Sequence, residues 1–202
     1  MGSDVRYTMG LDLGRTRNHT AMAILKRVWH GATPAEFIAS GTRGYQGEYR
    51  YTVVGADRLP LGTPFPAVVE WVKSIAKGLG NELNEIVVDA SGSGSVVMDD
   101  LRKAGIGVTL LGVVITGDQA CPPGGGGLTA AGYITLSRTE VLMKLQISVQ
   151  RQKLRIERAK CRAWEALRRE LSTVRLESSG GSKKEQDDLA FALALAVWRG
   201  LK

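Results

Sequence analysis

Acidic residues occupy three points in the sequence where apolar residues would be expected. Asp12 lies within the run MGLDLG, Asp89 ends the run IVVD, and Asp187 and Asp188 directly precede LAFALALAVW. Taken singly, each acid also fits a strand end or a helix cap. Gathered at one place, they would repel one another unless a cation compensates. Such a cluster suits Mg²⁺ or Mn²⁺, and two bound ions can activate a water and stabilise the leaving oxygen in phosphodiester cleavage.

The elements that carry these acids predict an α/β fold. Three strand-like segments joined by polar turns, at residues 5–12, 21–29 and 36–40, predict an antiparallel meander, and residues 41–66 are expected to be a loop. Further strands are predicted at residues 85–89, 108–115 and 154–156, and helices at 66–79, 96–102, 139–151, 159–171 and 187–198. The resulting architecture is a central mixed sheet, with three antiparallel strands and then parallel strands, flanked by helices.

Neighbouring central strands with the last helix across them would bring the acids to one edge of the sheet. This arrangement requires the strands that carry Asp12 and Asp89 to be adjacent. The last helix, which starts at Asp188, then has to pack against both of them. The prediction is therefore a site formed by residues far apart in the sequence.

Composition excludes several other classes of protein. The 202 residues, 44% of them hydrophobic, fit one globular domain. Two cysteines and two histidines supply neither a disulfide framework nor a zinc motif. No signal peptide or membrane-spanning run is apparent, so a soluble, cytoplasmic protein is expected. The net charge of +7 favours a polyanionic partner.

The acidic motifs carry a resemblance to a known family. GLDLG, IVVDASGSG and EQDDLAFALALA resemble the three acidic motifs of the nuclease domain of phage large terminase subunits, which belongs to the RNase H-like superfamily and is close to the RuvC-type resolvases. The resemblance spans Tyr7 to Leu201 and includes the polar loop or hairpin at residues 172–184. It implies an RNase H-like fold, two catalytic divalent ions (Mg²⁺ or Mn²⁺) and endonucleolytic cutting of double-stranded DNA during genome packaging.

The same resemblance assigns roles to individual residues and names partners. It implies that Asp12, Asp89 and Asp188 are catalytic metal ligands, assisted by Asp187. The family frequently has His before the acidic pair, where this chain has Gln186. No Walker motif is present, so residues 1–202 are expected to form a single nuclease domain without the packaging ATPase. The implied partners are double-stranded DNA, a packaging ATPase domain, the small terminase subunit and the portal, with no membrane, in the host cytoplasm.

Other functions remain open on sequence grounds. GLDLGRT also resembles the phosphate-binding turn of actin-like ATPases and sugar kinases, although those proteins need two such lobes. Another RNase H-like nuclease, such as a Holliday-junction resolvase, would cut branched DNA selectively. A non-catalytic DNA-binding module would bind DNA in chelator and would not cut it in the presence of any metal.

The distribution of basic residues indicates a candidate DNA-binding surface. Residues 138–169 hold ten Lys and Arg against three acids, whereas the rest of the chain is balanced. Lys183 and Lys184, close to the acidic pair in sequence, are the best-placed candidates, and Arg15 and Arg17 after the first acid are weaker ones. The remaining predicted contacts are Arg151, Lys153, Arg155 and Arg158. No sequence-reading motif is recognisable, so contact through phosphates predicts weak sequence preference.

Overall fold

The chain folds around a seven-stranded mixed sheet. The computed structural model describes residues 5–14, 18–31, 47–116, 129, 132–173 and 187–201. The strands are β1 (Val5–Asp12), β2 (Ala21–Gly31), β3 (Gly47–Arg58), β4 (Leu83–Asp89), β5 (Thr109–Thr116), β6 (Ile134–Ser137) and β7 (Leu154–Ile156). They lie side by side in the order β6-β5-β4-β1-β2-β3-β7.

Strand direction follows the predicted scheme. β1, β2 and β3 pair antiparallel, and Asp12 lies opposite Ala21 in the β1–β2 register. β4 pairs parallel with β1, β5 with β4, β6 with β5, and β7 with β3. The carboxyl ends of β1 and β4 therefore meet at one edge of the sheet, which confirms the predicted mixed α/β fold class.

Helices cover both faces of this sheet. The described residues form α1 (Phe65–Leu79), α2 (Gly94–Lys103), α3 (Arg138–Gln150), α4 (Trp164–Thr173) and α5 (Asp188–Gly200), with short 3₁₀ turns at Gly80–Glu82 and Arg158–Lys160. Apolar residues of α1 and α2 pack on one face of the sheet. Those of α3, α4 and α5 pack on the other face. None of the helices in the described ranges is long and apolar enough to cross a membrane.

The last helix, α5, lies at the centre of its layer. Every residue of it except Arg199 is buried. It approaches β1 so closely that a Cβ on Gly10 would overlap the carbonyl oxygen of Ala192 and lie 2.8 Å from the backbone nitrogen of Ala196. Small residues on both elements permit this contact. As a result, the start of α5 lies beside the end of β1.

The structure corrects three details of the predicted elements. Residues 41–66 are not all loop, because β3 occupies Gly47–Arg58. The four-residue strand β6 was not predicted. α4 begins at Trp164 rather than at residue 159, because a 3₁₀ turn occupies Arg158–Lys160. The strand predicted at residues 36–40, the glycine-rich segment 121–127 and most of the loop 172–184 lie outside the described residues.

Candidate active site

Asp12 is the central acid of the candidate site. It ends β1, whose inner residues are buried between β2 and β4. Burial raises the pKa of Asp12 well above its usual range, and the negative charges of Asp89 and Asp188 raise it further. The charge of Arg138 acts in the opposite direction. These effects place Asp12 within electrostatic reach of the other acids predicted for the site.

Asp89 is fixed by the turn that follows β4. Its Oδ1 accepts a hydrogen bond from the backbone N–H of Ser91 at 2.9 Å. The start of α2 packs against this turn, since a Cβ on Gly94 would overlap the carbonyl oxygen of Asp89. The side chain of Asp89 is thereby oriented at the carboxyl end of the strand next to β1.

Asp188 is the most buried of these acids, with 3% of its surface exposed. Its Oδ2 accepts a hydrogen bond from the backbone N–H of His19 at 3.1 Å. Burial raises the pKa of Asp188, whereas this hydrogen bond lowers it. The bond joins the turn between β1 and β2 to the start of α5. It fixes Asp188 close to the strand end that carries Asp12.

Arg138 forms an ion pair with Asp187 that the sequence analysis did not identify. One of its terminal guanidinium nitrogens lies 2.5 Å from Oδ2 of Asp187. The guanidinium also stacks on the ring of Phe191, 4.1 Å from the ring centre. Arg138 is the first residue of α3, where the helix dipole disfavours a cation. That unfavourable position is a signal in the sequence from which a nearby anion could have been inferred.

His19 is a second residue that the sequence analysis missed. Besides its backbone contact to Asp188, its ring Nδ1 lies 2.8 Å from the carbonyl oxygen of Leu59. Because a carbonyl only accepts, Nδ1 is the nitrogen that carries the proton. The ring therefore ties the β1–β2 turn to the end of β3. No motif around His19 predicts this contact.

The donor set suits a hard divalent cation. Asp12, Asp89, Asp187 and Asp188 offer carboxylate oxygens, the ligands that Mg²⁺ and Mn²⁺ prefer. Burial raises the pKa of Asp12 and the negative charges of Asp89 and Asp188 raise it further, and a bound cation would offset these charges. Among the described residues, no three acidic, histidine or cysteine side chains are already grouped tightly enough to hold one ion together. Binding of an ion would therefore require side chains to move. Separation of the Arg138–Asp187 ion pair would free the carboxylate of Asp187 for this purpose.

The predicted DNA-binding residues that lie in the described ranges are not gathered at these acids. β7 runs parallel to β3. Arg151 and Lys153 precede β7, so they lie towards the edge of the sheet opposite the acids. There they line a cavity of about 280 Å³ with Trp198, near the end of α5. Arg155 is exposed on β7, and Arg158 follows it, stacked over Trp164. Lys183, Lys184, Arg15 and Arg17 lie outside the described residues.

Comparison with known proteins identifies the fold. No protein-family profile matches the chain, and no curated protein sequence matches it. Among solved structures, the Mn-soaked nuclease domain of human cytomegalovirus terminase is similar, with a TM-score of 0.57 and 11% identity over 95% of this chain and 81% of that one. The large terminase nuclease from thermophilic phage G20c gives 0.57 and 14% over 97% and 83%.

A third terminase structure agrees with these two. A mutant nuclease domain of the large terminase subunit of bacterial virus Sf6, solved with manganese and beta-thujaplicinol, has a TM-score of 0.56 and 13% identity. It covers 97% of this chain and 88% of its own length. The resemblance inferred from the acidic motifs is thus confirmed at the level of fold. The chain has the RNase H-like fold found in viral terminase nuclease domains.

Proposed function

We propose that this chain is a divalent-metal-dependent DNA endonuclease of the large-terminase type. The observation that carries the proposal is geometric: Asp12 and Asp89 end the adjacent parallel strands β1 and β4, and Asp188 begins α5 at the same edge of the sheet. The fold likeness to terminase nuclease domains, two of them solved with manganese, supports the same reaction class.

Each residue of the site has a role in this proposal. Asp12, Asp89 and Asp188 hold the divalent ions, which we take to be two Mg²⁺ or Mn²⁺, and Asp187 assists them. When bound, such ions activate the attacking water and stabilise the leaving oxygen. Arg138 lies beside the acids, and its planar guanidinium is suited to a phosphate oxygen of the substrate.

The substrate and partners follow from the same proposal. The substrate is double-stranded DNA, cut during genome packaging in the host cytoplasm. A packaging ATPase, the small terminase subunit and the portal would act with the nuclease. Lys183 and Lys184 remain proposed phosphate contacts because they come shortly before Asp187 in the sequence. Arg151 and Lys153 would contact the DNA only if the duplex also passes along the opposite edge of the sheet.

Digestion of supercoiled plasmid tests the proposal directly. With Mg²⁺ or Mn²⁺, we expect nicked and linear DNA, and with EDTA we expect uncut plasmid, because the proposed reaction depends on bound ions to activate the water and stabilise the leaving oxygen. Gel electrophoresis of a time course measures both products. Asp99→Asn is the matched control, since Asp99 is an exposed acid of α2 paired with Arg102, and this variant should cut like the wild type.

Other outcomes would contradict the proposal in distinct ways. Retained DNA binding in EDTA, without cleavage under either metal, would indicate a DNA-binding module instead. Strong preference for four-way junctions over linear duplex would indicate a junction resolvase. Equal cutting with and without EDTA would exclude the metal-dependent mechanism.

Arg138 provides a second prediction. Arg138→Ala is expected to lower the cleavage rate at saturating metal by about 100-fold, because a charged donor aimed at the reacting phosphate is lost. Arg138→Lys should recover part of that rate, since lysine keeps the charge but not the planar fork. Single-turnover cleavage of a labelled duplex measures the effect. Arg168→Ala, which removes an exposed arginine of α4, is the control, and an equal loss in both variants would contradict a specific role.

A further inference from the structure

The start of α5 is capped in an unusual way. Asp187 occupies the N-cap position, where an aspartate normally accepts a hydrogen bond from the first helical turn. Its side chain makes no such bond and is instead paired with Arg138. The first turn of α5 therefore needs an acceptor from another part of the chain, because its N–H groups have no partner within the helix.

Glu170 of α4 provides that acceptor. Its Oε2 accepts a hydrogen bond from the backbone N–H of Ala190 at 2.9 Å. The N–H groups of Ala190 and Leu189 lower the pKa of Glu170, whereas burial, the larger effect, raises it. A carboxylate is also favoured at a helix N-terminus by the helix dipole. Glu170 thus takes over the capping role that Asp187 gives up.

The position of Glu170 is costly and therefore informative. The residue is only 5% exposed, and burying a carboxylate is unfavourable unless other groups compensate. Its Oε1 has no hydrogen-bond partner and lies 3.7 Å from a guanidinium nitrogen of Arg58, at the end of β3. The charge of Arg58 also lowers the pKa of Asp188. A neutral residue would fill this place in the core at lower cost if packing were its only function.

We propose that Glu170 is a positioning residue for the metal site: by capping α5 from α4, it fixes Asp188 in place and frees both Asp187 and Asp188 from capping. Arg58 balances the charge that Glu170 adds behind the acids. This inference rests on the proposed function. Glu170 does not touch the substrate or the ions, and it acts only through the first turn of α5.

Metal binding without DNA tests this inference. Titration calorimetry with MnCl₂ measures the dissociation constant for wild type, Glu170→Gln and Glu170→Ala. We expect Glu170→Ala to weaken Mn²⁺ binding by about 10- to 100-fold, as the loss of groups that orient metal ligands commonly does. Glu170→Gln keeps an oxygen that can accept from Ala190, so its loss should be smaller. In cleavage assays, the metal concentration for half-maximal rate should rise more than the maximal rate falls.

Leu167→Ala separates positioning from general stability. Leu167 is fully buried on the same helix, so its truncation destabilises α4 without touching the cap of α5. This variant should melt at a lower temperature yet bind Mn²⁺ like the wild type. Unchanged Mn²⁺ affinity in Glu170→Ala, or an equal loss in Leu167→Ala, would overturn the inference.

The remaining outcomes are also decisive. If Glu170→Ala does not fold, Glu170→Gln decides: weaker Mn²⁺ binding than in Leu167→Ala supports the inference, and unchanged binding overturns it. If the wild type binds Mn²⁺ and cuts DNA, and all the variants do so equally well, then only the role of Glu170 is excluded. Wild type that neither binds Mn²⁺ nor cuts DNA removes the proposed function, and this inference with it.

Discussion

Asp12→Asn is expected to abolish metal-dependent DNA cleavage while leaving the protein folded. Asp12 is the acid whose pKa is raised by the negative charges of Asp89, Asp187 and Asp188. An amide in its place offers one neutral oxygen and a nitrogen that repels a cation. We expect the single-turnover rate to fall by more than about 1,000-fold, which corresponds to roughly 4 kcal/mol of lost transition-state stabilisation.

The same substitution should not destabilise the metal-free protein. The pKa of Asp12 in the folded chain is raised, so its contribution to stability is fully present only at low pH and is lost as pH rises through that folded value. At neutral pH the burial of this carboxyl group beside other acids therefore works against folding, and asparagine removes this penalty. In EDTA near pH 7, Asp12→Asn should melt at the same temperature as the wild type or higher.

Thermal unfolding and cleavage measured side by side check this prediction. Adding Mn²⁺ should raise the melting temperature of the wild type and have less effect on Asp12→Asn, because binding to the folded state is weakened. A variant that melts well below the wild type in EDTA would show that Asp12 mainly holds the fold. A variant that cuts at the wild-type rate would exclude Asp12 from the reaction.

Gly10→Ala is expected to have the largest effect on stability. The added methyl would overlap the carbonyl oxygen of Ala192 and lie 2.8 Å from the backbone nitrogen of Ala196. These are backbone atoms of a buried helix, so no side-chain rotation relieves the clash, and α5 has to move away from β1. We expect a loss of about 3 kcal/mol or more in the free energy of unfolding. Cleavage should also fall, because Asp188 moves with α5.

Gly78→Ala is the matched control for this substitution. Gly78 lies on α1, and a Cβ there would meet nothing within 4 Å. Alanine restricts the unfolded chain and favours the helix, so this variant should be more stable by about 0.5–1 kcal/mol. Urea unfolding measures both changes. Equal effects in the two variants would contradict the close approach of α5 to β1.

The sequence allowed the main elements and the place of three acids to be predicted. Asp12 and Asp89 each end a run of apolar residues, and the carboxyl ends of adjacent parallel strands necessarily meet at one edge. Asp188 precedes an apolar helix with no polar face, which has to lie inside the protein. Local patterns sufficed in these cases because burial and strand direction decide the geometry.

Elements with weak local patterns were not predicted. The segment that forms β3 has β-favouring residues from Tyr49 to Val54, but glycines and charged residues flank them, and pairing with β2 along its length sets its bounds. β6 has four residues and is fixed by pairing with β5. The bounds of both strands therefore depend on pairing with a neighbouring strand rather than on the segment's own pattern.

The partners of site residues that act through tertiary contacts were also not predicted. Arg138, His19 and Glu170 approach the acids only after α3, the β1–β2 turn and α4 have packed. Arg151 and Lys153 belong to the same basic stretch as Arg138, yet the length of α3 separates them from it. A count of charges in a window cannot distinguish the two ends of a helix.

The central position of α5 has a consequence for how the chain is made. α5 is synthesised long after β1, yet it packs on that strand. Contacts between segments so far apart form slowly, and the apolar surface of β1 stays uncovered until α5 has been translated. The acids can therefore assemble only after residues 188–200 have been translated.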